Sequence, residues 1–542
     1  MTALSATETV LDISGLTVRL PAHADRAHAI EDVSLTVRRG EIVCIVGESG
    51  SGKSVTAFSI MGLLPKGELA PVAGEIRLDG EDVLKATPAR LRRLRGARMA
   101  MIFQEPMTAL NPVETIGEQI DEVLRIHTEL SDRERKAKVI EILTAMRLPD
   151  PKRLYDAYPH QISGGQRQRI MIAAAMVLDP HLLIADEPTT ALDVTTQAQI
   201  LALIKDLQRR HDTGVLFITH DFGVVADIAH RVVVMQRGCV VEEGPAEEVL
   251  KHPRHDYTRM LIAAIPSLDP KPLDPKTGPI TLETVKLCKS YGGGLWRNDR
   301  VVAAAQDVNL HVRRGETLGI VGESGSGKTT VARCVARLIA PSTGAIRVND
   351  IDIAPLRERQ LRPYRRRVQV VFQDPYRSLN PRRTVGATIV EGPMNFGLAG
   401  GEALRRARSL LALVGLSPDV LDRYPHQFSG GQRQRIAIAR ALAMEPEILI
   451  ADEAVSALDV SVQAQVLELL DDVKRRFDLA VLFITHDLRV AAQICDRIMV
   501  MEKGIVVEEG ATLRVYTAPQ HPYTRALLDA APGRNFAFRK AT

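Results

Sequence analysis

The chain has 542 residues, too many for one ordinary domain and suitable for two or three. Hydrophobic residues make up 45% and charged residues 25%, as in soluble globular proteins, and the net charge of +4 gives no reason to expect nucleic acid as a partner. The five cysteines form no CxxC pair, which argues against a zinc site and a disulfide framework and fits a reducing cytosol.

No run approaches the length of apolar sequence that crosses a bilayer, so we expect no membrane span. The N-terminal sequence MTALSATETVLDISG lacks the basic start and apolar run of a signal peptide. From these two features we expect a protein that is made and stays in the cytoplasm.

The first element with a chemical signal is a strand followed by a glycine-rich loop. The β-branched run Ile42–Val46 predicts a buried parallel strand, and GESGSGKS follows at Gly47–Ser54. This pattern predicts a nest of backbone N–H groups around nucleotide phosphates, with the next helix directing its positive end at the same anion. Lys53 is predicted to neutralise the β- and γ-phosphates, and the Ser54 hydroxyl to coordinate Mg²⁺.

A later strand, in LLIADE at Leu182–Glu187, ends in adjacent carboxylates. Asp186 is placed to hold the Mg²⁺ shell, and Glu187 to polarise the attacking water as general base. Such a pair alone is usually a strand end at the surface. Behind a phosphate loop the catalytic interpretation is favoured.

These motifs occur twice. GESGSGKT stands at Gly322–Thr329, ILIADE at Ile448–Glu453, and both YPHQ[IF]SGGQRQRI and VLFITHD also recur. The lysines of the two loops are 328 − 53 = 275 residues apart, whereas the later motifs are separated by 266. One domain is therefore duplicated, with the difference in loop length confined to its front. Its second copy repeats the predicted ligand set as Lys328, Thr329, Asp452 and Glu453.

A proline-rich segment separates the copies. PSLDPKPLDPKTGP, residues 266–279, carries five prolines in fourteen residues and predicts an extended connector. We therefore place a first domain at 1–265, a linker at 266–279 and a second domain at 280–542. Strands alternate with helices in each half, which predicts an α/β fold with a mainly parallel sheet.

With these motifs in place, the chain resembles the ATPases of ABC transporters over nearly its whole length. The deciding motif is SGGQ, at Ser163–Gln166 and Ser429–Gln432, which is similar to the family's signature. The resemblance implies two tandem P-loop ABC ATPase domains, each with a mainly parallel sheet core and a helical signature subdomain. It also implies that each signature binds the ATP of the opposite domain, so that two nucleotides lie head-to-tail between the domains.

Other positions match the family residue by residue. Gln104 resembles the glutamine that touches Mg²⁺ and water and links the site to the transmembrane partner, and His220 resembles the switch histidine at the γ-phosphate. Asp193, in ALD, resembles the loop that couples one site to the other. In the second domain the equivalents are Gln373, His486 and Asp459.

The resemblance therefore implies a defined set of site residues. The catalytic residues are Glu187, His220, Glu453 and His486, and the coupling residues are Asp193 and Asp459. The Mg²⁺ contacts are Ser54, Gln104, Asp186, Thr329, Gln373 and Asp452. The ATP-binding residues are Gly47, Glu48, Ser49, Gly50, Ser51, Gly52, Lys53, Ser54, Gly322, Glu323, Ser324, Gly325, Ser326, Gly327, Lys328, Thr329, Tyr291 and the two signatures, Ser163, Gly164, Gly165, Gln166 and Ser429, Gly430, Gly431, Gln432.

Tyr291 enters that set because ABC cassettes usually stack adenine on an aromatic residue well before the phosphate loop. Tyr291 in VKLCKSYG occupies this position, with Trp296 close by as a substitute. In the first domain Leu20 falls opposite, and no Phe, Tyr or Trp precedes the loop. We expect the first site to bind ATP more weakly, unless His28 compensates by stacking.

Three features resemble the oligopeptide/dipeptide importer branch: the extended loops Gln104–Pro112 and Gln373–Pro381, the YPHQ before each signature, and HPYTRALL at His521–Leu528 with a partial copy at His255–Ile265. The branch implies two transmembrane permease subunits docked near the extended loops, an extracytoplasmic substrate-binding protein, and a peripheral location at the cytoplasmic face of the inner membrane. Many members carry a cysteine cluster beyond this element. This chain has none there, so we expect Mg²⁺ but no iron–sulfur cluster.

Rival classes stay open. A ribosome-acting ABC translation factor also fuses two cassettes, but typically through a long charged helical linker. A structural-maintenance or repair ATPase needs long coiled-coil or zinc-binding insertions. Both differ from this chain, and an importer is favoured over them and over other ABC transport. Peptides, nickel, glutathione and haem all occur as cargo in such branches, so the sequence does not name the substrate.

Overall fold

The computed structural model describes residues 8–22, 24, 26–105, 109–190, 192–271, 276–292, 301–456, 458–534, 536 and 538. The chain divides into two units, Met1–Ala264 with Pro532–Thr542, and Ile265–Ala531. None of the described helices has the length and apolar character needed to cross a membrane.

The first unit contains an antiparallel sheet of order β2-β1-β4-β5 and a six-stranded sheet of order β10-β9-β3-β8-β7-β6. Only β10 is antiparallel to its neighbour in the larger sheet. The strands are β1 (Thr9–Arg19), β2 (His28–Arg38), β3 (Ile42–Val46), β4 (Ala70–Leu78), β5 (Glu81–Asp82), β6 (Met99–Ile102), β7 (Leu182–Asp186), β8 (Gly214–Ile218), β9 (Arg231–Gln236) and β10 (Cys239–Pro245).

Helices in this unit lie between those strands and after the last of them. They are α1 (Lys53–Met61), α2 (Pro88–Leu94), α3 (Ile116–His127), α4 (Asp132–Ala145), α5 (Pro151–Tyr155), α6 (Gly164–Met176), α7 (Val194–His211), α8 (Phe222–Ile228), α9 (Ala246–Lys251) and α10 (Asp256–Ala263). The central strands β3, β7 and β8 are buried along their whole length, which explains their unbroken apolar sequences.

The second unit repeats this topology, with sheets of order β12-β11-β14-β15 and β16-β17-β18-β13-β19-β20. Its strands are β11 (Ile280–Tyr291), β12 (Val302–Arg313), β13 (Thr317–Val321), β14 (Thr343–Val348), β15 (Ile351–Asp352), β16 (Val368–Val371), β17 (Ile448–Asp452), β18 (Ala480–Ile484), β19 (Arg497–Glu502) and β20 (Ile505–Ala511). Its helices are α11 (Lys328–Val335), α12 (Glu358–Arg367), α13 (Pro375–Ser378), α14 (Val385–Asn395), α15 (Gly400–Leu413), α16 (Gly430–Leu442), α17 (Val460–Phe477), α18 (Leu488–Ile494), α19 (Thr512–Thr517) and α20 (Pro522–Asp529). The predicted fold class, two α/β domains on mainly parallel sheets, is confirmed.

The last described residues of the chain group with the first unit. The sequence predicts a second domain at 280–542, and this boundary stays a prediction, while the described residues after Ala531 make their contacts in the first unit. The physical reason is local bonding: the Gly533 N–H donates to Asp227 on α8 at 2.9 Å, and the Lys251 ammonium lies 5.4 Å from the Phe536 ring centre. The described residues of the predicted linker, 266–271 and 276–279, group with the second unit.

Candidate functional site

The phosphate loop of the first unit begins where β3 ends. Gly47 and Gly52 have φ angles of 150° and 105°, in the region that favours glycine. A Cβ atom on Gly47 would lie 2.2 Å from the Met235 carbonyl oxygen, so no larger residue fits there. Lys53, the first residue of α1, is buried, and its ammonium donates to the carbonyls of Gly47 at 2.7 Å and Glu48 at 2.9 Å. The lysine is thereby held over the loop.

A hydroxyl and a carboxylate lie together beside this lysine's helix. The Ser54 hydroxyl donates to Asp186 Oδ1 at 3.2 Å, although the two residues are 132 positions apart. They meet because β3 and β7 are both neighbours of β8, and the carboxyl ends of parallel strands share one edge of the sheet. Oxygen atoms of this kind are the ligands that Mg²⁺ prefers, so the residues present fit that ion.

Glu187 is the centre of a hydrogen-bonded cluster at the same edge. Its carboxylate accepts from Gln104 Nε2 at 3.0 Å and lies 3.2 Å from His220 Nδ1. The Thr190 hydroxyl also donates to it, at 2.9 Å. Sequence reasoning missed Thr190, because a threonine after a strand-end carboxylate carries no motif of its own. The geometry fixes the carboxylate between an amide, a hydroxyl and an imidazole.

The second unit has the same arrangement. Its shared feature is a lysine over the loop, a hydroxyl on the strand-end aspartate, and a glutamate bonded to glutamine and histidine. The distances are 2.8 and 2.7 Å from Lys328 Nζ to the Gly322 and Glu323 carbonyls, 3.2 Å from Thr329 Oγ1 to Asp452 Oδ1, 2.6 Å from Gln373 Nε2 to Glu453 Oε2, and 3.4 Å from His486 Nδ1 to Glu453 Oε2.

The pKa values of the two adjacent carboxylates in each unit are shifted in opposite directions. Burial raises the pKa of Asp452 and likewise that of Asp186. Burial acts on Glu453 in the same direction, but the hydrogen bond and charge of His486 outweigh it and lower the pKa of Glu453. Burial lowers the pKa of His486, yet Glu453 outweighs it and the net pKa is raised. The pKa of Glu187 is also lowered, so both glutamates are ionised acceptors near neutral pH.

The signature residues lie at the N-terminus of α6. Ser163 and Gln166 form a reciprocal cap, with N–H donors at 3.0 and 3.4 Å from the opposing side-chain oxygens. A Cβ atom on Gly164 would meet nothing within 4 Å, whereas one on Gly165 would lie 2.8 Å from Thr196 Cγ2. The first glycine therefore leaves the helix start open to a ligand, and the second permits close packing.

Asp193, predicted to couple the two sites, caps α7 by accepting the N–H of Thr196 at 2.8 Å, and the Thr196 side chain also lies against Gly165 of the predicted signature. The second unit packs Gly431 against Val462 in the same way, while a Cβ atom on Gly430 would meet Leu458 Cδ2 at 3.9 Å, an ordinary van der Waals contact. Asp459 is the residue before α17. Among the described residues, the hydrogen bonds around Glu187 do not include the signature.

Tyr291 ends β11 with 44% of its surface exposed, and the Lys289 ammonium lies 5.2 Å from its ring centre. Leu20 is half-buried and packs against the core of the first unit. The predicted adenine contact thus stays a prediction. Trp296 lies outside the described residues, as do residues 106–108 of the first extended loop.

Comparison with known families decides what these two sites belong to. The family model described as "ABC transporter" matches residues 30–190 and 305–456. The chain belongs to the ABC transporter family. This ABC protein also matches the model for the oligopeptide/dipeptide transporter C-terminal region, at residues 241–293 and 507–540. The resemblance inferred from the motifs is confirmed, and the chain is an ABC-type ATPase with two fused cassettes.

Named relatives cover this ABC ATPase almost end to end. It is 46% identical to the glutathione import ATP-binding protein GsiA of Salmonella choleraesuis, over 96% of this chain and 89% of that protein. It is 46% identical to the peptidoglycan transport ATP-binding protein YejF of Agrobacterium fabrum, over 97% of both. Among solved structures, cbiO1 from Clostridium perfringens aligns at 28% identity over 44% of this chain and 91% of that one, with a TM-score of 0.40.

Proposed function

We propose that this chain is the ATP-hydrolysing motor of an ABC importer whose cargo is peptides, including small ones of the glutathione type. The observation that carries the proposal is the oligopeptide/dipeptide C-terminal region, which comes after a cassette in both halves of the chain. Relatives that import glutathione or transport peptidoglycan, according to their names, support the same cargo class.

Each unit holds the residues that ATP hydrolysis requires. Lys53 and Lys328 would neutralise the β- and γ-phosphates. Ser54 with Asp186, and the equivalent pair in the second unit, would hold Mg²⁺, which when bound supplies positive charge to the phosphate oxygens. Glu187 orients the attacking water and accepts its proton, because three neighbouring side chains fix its carboxylate.

The remaining predicted residues complete two composite sites. Gln104 and Gln373 would join Mg²⁺ and water to the permease side, and His220 and His486 would contact the γ-phosphate. As the family resemblance implies, each phosphate loop would face the other domain's signature, with Asp193 and Asp459 coupling the sites. The open space beside Gly164 and the uncrowded backbone of Gly430, each at a helix N-terminus, support an anion-binding role for the signatures.

The proposed partners are two permease subunits and an extracytoplasmic binding protein, at the cytoplasmic face of the inner membrane. We expect purification from solubilised membranes to recover two hydrophobic subunits in stoichiometric amounts, docked near the extended loops. Reconstituted vesicles should take up a labelled dipeptide or glutathione only with ATP. Recovery with ribosomes and never with membrane proteins would instead favour a translation factor.

A further prediction concerns adenine recognition by Tyr291. In a full chain carrying Lys53→Ala, the second site dominates nucleotide binding. Adding Tyr291→Ala there should lower MgATP affinity about 5- to 150-fold, because stacking on an aromatic ring contributes roughly 1–3 kcal/mol. The Lys328→Ala chain, which relies on the first site, should bind MgATP more weakly than the Lys53→Ala chain does. Equal affinities in the two lysine variants, or no loss with Tyr291→Ala, would contradict the proposed asymmetry.

A further inference from the structure

In both units a tyrosine of the C-terminal region reaches the phosphate loop. The Glu48 N–H donates to the Tyr257 hydroxyl at 3.1 Å, and this hydroxyl donates to the Glu48 carboxylate at 3.3 Å. In the second unit the Glu323 N–H donates to the Tyr523 hydroxyl, also at 3.1 Å. The bonded residues are 209 and 200 positions apart, so tertiary structure brings them together. The same contact is present in both units.

The residue that each tyrosine binds is also the one that the lysine of the phosphate loop binds. The Glu48 carbonyl accepts from Lys53 Nζ at 2.9 Å, and the Glu323 carbonyl accepts from Lys328 Nζ at 2.7 Å. One residue of each loop is therefore held through its N–H by the tyrosine and through its carbonyl by the lysine. A shift of this residue would move the loop and the lysine together.

Each tyrosine is also held in position by hydrogen bonds at the start of its own helix. Tyr257 is 6% exposed, and its N–H donates to the His255 ring at 3.1 Å, which caps α10. The Glu242 carboxylate, on β10, accepts the backbone N–H groups of Arg254 and His255 at 2.8 and 3.1 Å. Because β10 pairs with β9 and β9 with β3, Glu242 belongs to the same sheet that carries the phosphate loop.

The second unit builds the same support from equivalent residues. Glu508, on β20, accepts the N–H groups of Gln520 and His521 at 2.9 and 3.0 Å, and His521 accepts the N–H of Tyr523 at 3.2 Å. Burial raises the pKa of Glu508, but these backbone donors together with Thr524 and the charge of Arg514 outweigh it and lower the net pKa, which keeps the Glu508 carboxylate ionised.

We propose that Tyr257 and Tyr523 are positioning residues for ATP: each holds the phosphate loop of its own unit in the binding conformation, so that the C-terminal region sets nucleotide affinity. The inference rests on the proposed function in that these loops bind ATP phosphates. A phenol suits this task because its hydroxyl can accept and donate at once: in both units it accepts the loop N–H, and in the first unit it also donates to the Glu48 carboxylate. Phenylalanine keeps the ring packing and removes the hydroxyl's bonds to the loop, leaving a loop N–H without its partner.

The test uses the full chain with one phosphate loop disabled at a time. With Lys328→Ala present, Tyr257→Phe should raise the Kd for MgATP about 3- to 10-fold, whereas Tyr523→Phe should leave it unchanged; with Lys53→Ala the pattern should reverse. In the chain with both lysines, the tyrosine pair Y257F/Y523F should raise KM for ATP by a similar factor and change kcat less than twofold, because the tyrosine hydroxyls bond to the phosphate loops, whereas Gln104 and Gln373 hold the catalytic glutamates.

Tyr516→Phe is the matched control, because its hydroxyl donates to the Leu488 carbonyl in the same C-terminal region and not to the loop. It should lose a tyrosine hydroxyl without changing the Kd. Unchanged Kd in both tyrosine variants, or a fall in Tm equal to that of Tyr516→Phe with no change in KM, would overturn the inference. Failure of the lysine-intact wild-type chain to bind MgATP at all would instead overturn the proposed function.

Discussion

Changing Glu187 and Glu453 together to glutamine is expected to stop ATP turnover while ATP binding is retained. The amide is nearly isosteric with the carboxylate and leaves the phosphate loops intact, but it cannot accept a proton from water. General-base catalysis contributes about 10²- to 10⁴-fold to a reaction rate, so the rate of phosphate release should fall by about 10²-fold or more. The measurement is steady-state phosphate release with the permeases present, together with MgATP binding by the same preparation.

A control with the same change in charge separates catalysis from a general electrostatic effect. Glu81 is half-buried and Glu358 is exposed, and their carboxylates pair with Arg90 and Arg365 at the surface. Their exchange for glutamine should leave turnover unchanged, because surface pairs of this kind contribute little. Wild-type turnover in the Glu187 and Glu453 variant would show that neither residue is the base.

Trapped nucleotide should reveal which signature serves which phosphate loop. In the chain with both catalytic glutamates changed to glutamine, we expect two ATP molecules per chain to be retained. Adding Lys53→Ala and Ser429→Arg should leave one, because both changes fall on the same composite site. Adding Lys53→Ala and Ser163→Arg should leave none, because each change disables a different site.

The physical reason is that both partners of a site must act at once. Loss of the lysine removes the charge that opposes the phosphates, and an arginine side chain would fill the open position at the helix start. The measurement is the amount of labelled ATP that stays bound after gel filtration. The reverse pattern, with none retained for the Ser429 combination and one for the Ser163 combination, would pair each loop with the signature of its own unit.

Local structure, and the contacts that parallel strands impose, could be predicted from the sequence. Ile42–Val46 forms a buried strand because its residues are apolar and mostly β-branched. The glycines directly after it permit the loop. The meeting of Ser54 with Asp186 was also predictable, since motifs placed after neighbouring parallel strands share one edge of a sheet. The same logic brings Gln104 to Glu187.

Contacts made by docked helices could not be predicted in this way. Tyr257 lies in a short amphipathic segment, and its periodicity indicates a helix without indicating where its hydroxyl ends. The difference between Gly164 and Gly165 likewise depends on how closely α7 approaches, which no motif encodes. Thr190 and the return of Gly533 to Asp227 belong to the same class, because tertiary packing decides them.

The C-terminal segment that rejoins the first unit has a consequence for biosynthesis. Gly533 and Phe536 are translated only after the whole of the second unit, yet Gly533 bonds to Asp227 and Phe536 lies beside Lys251. At about 5–20 residues per second, the ribosome needs roughly 13–54 s to cover that interval. The first unit is therefore synthesised well before the residues that complete these contacts. A chain terminated before Gly533 would leave Asp227 and Lys251 of the first unit without them.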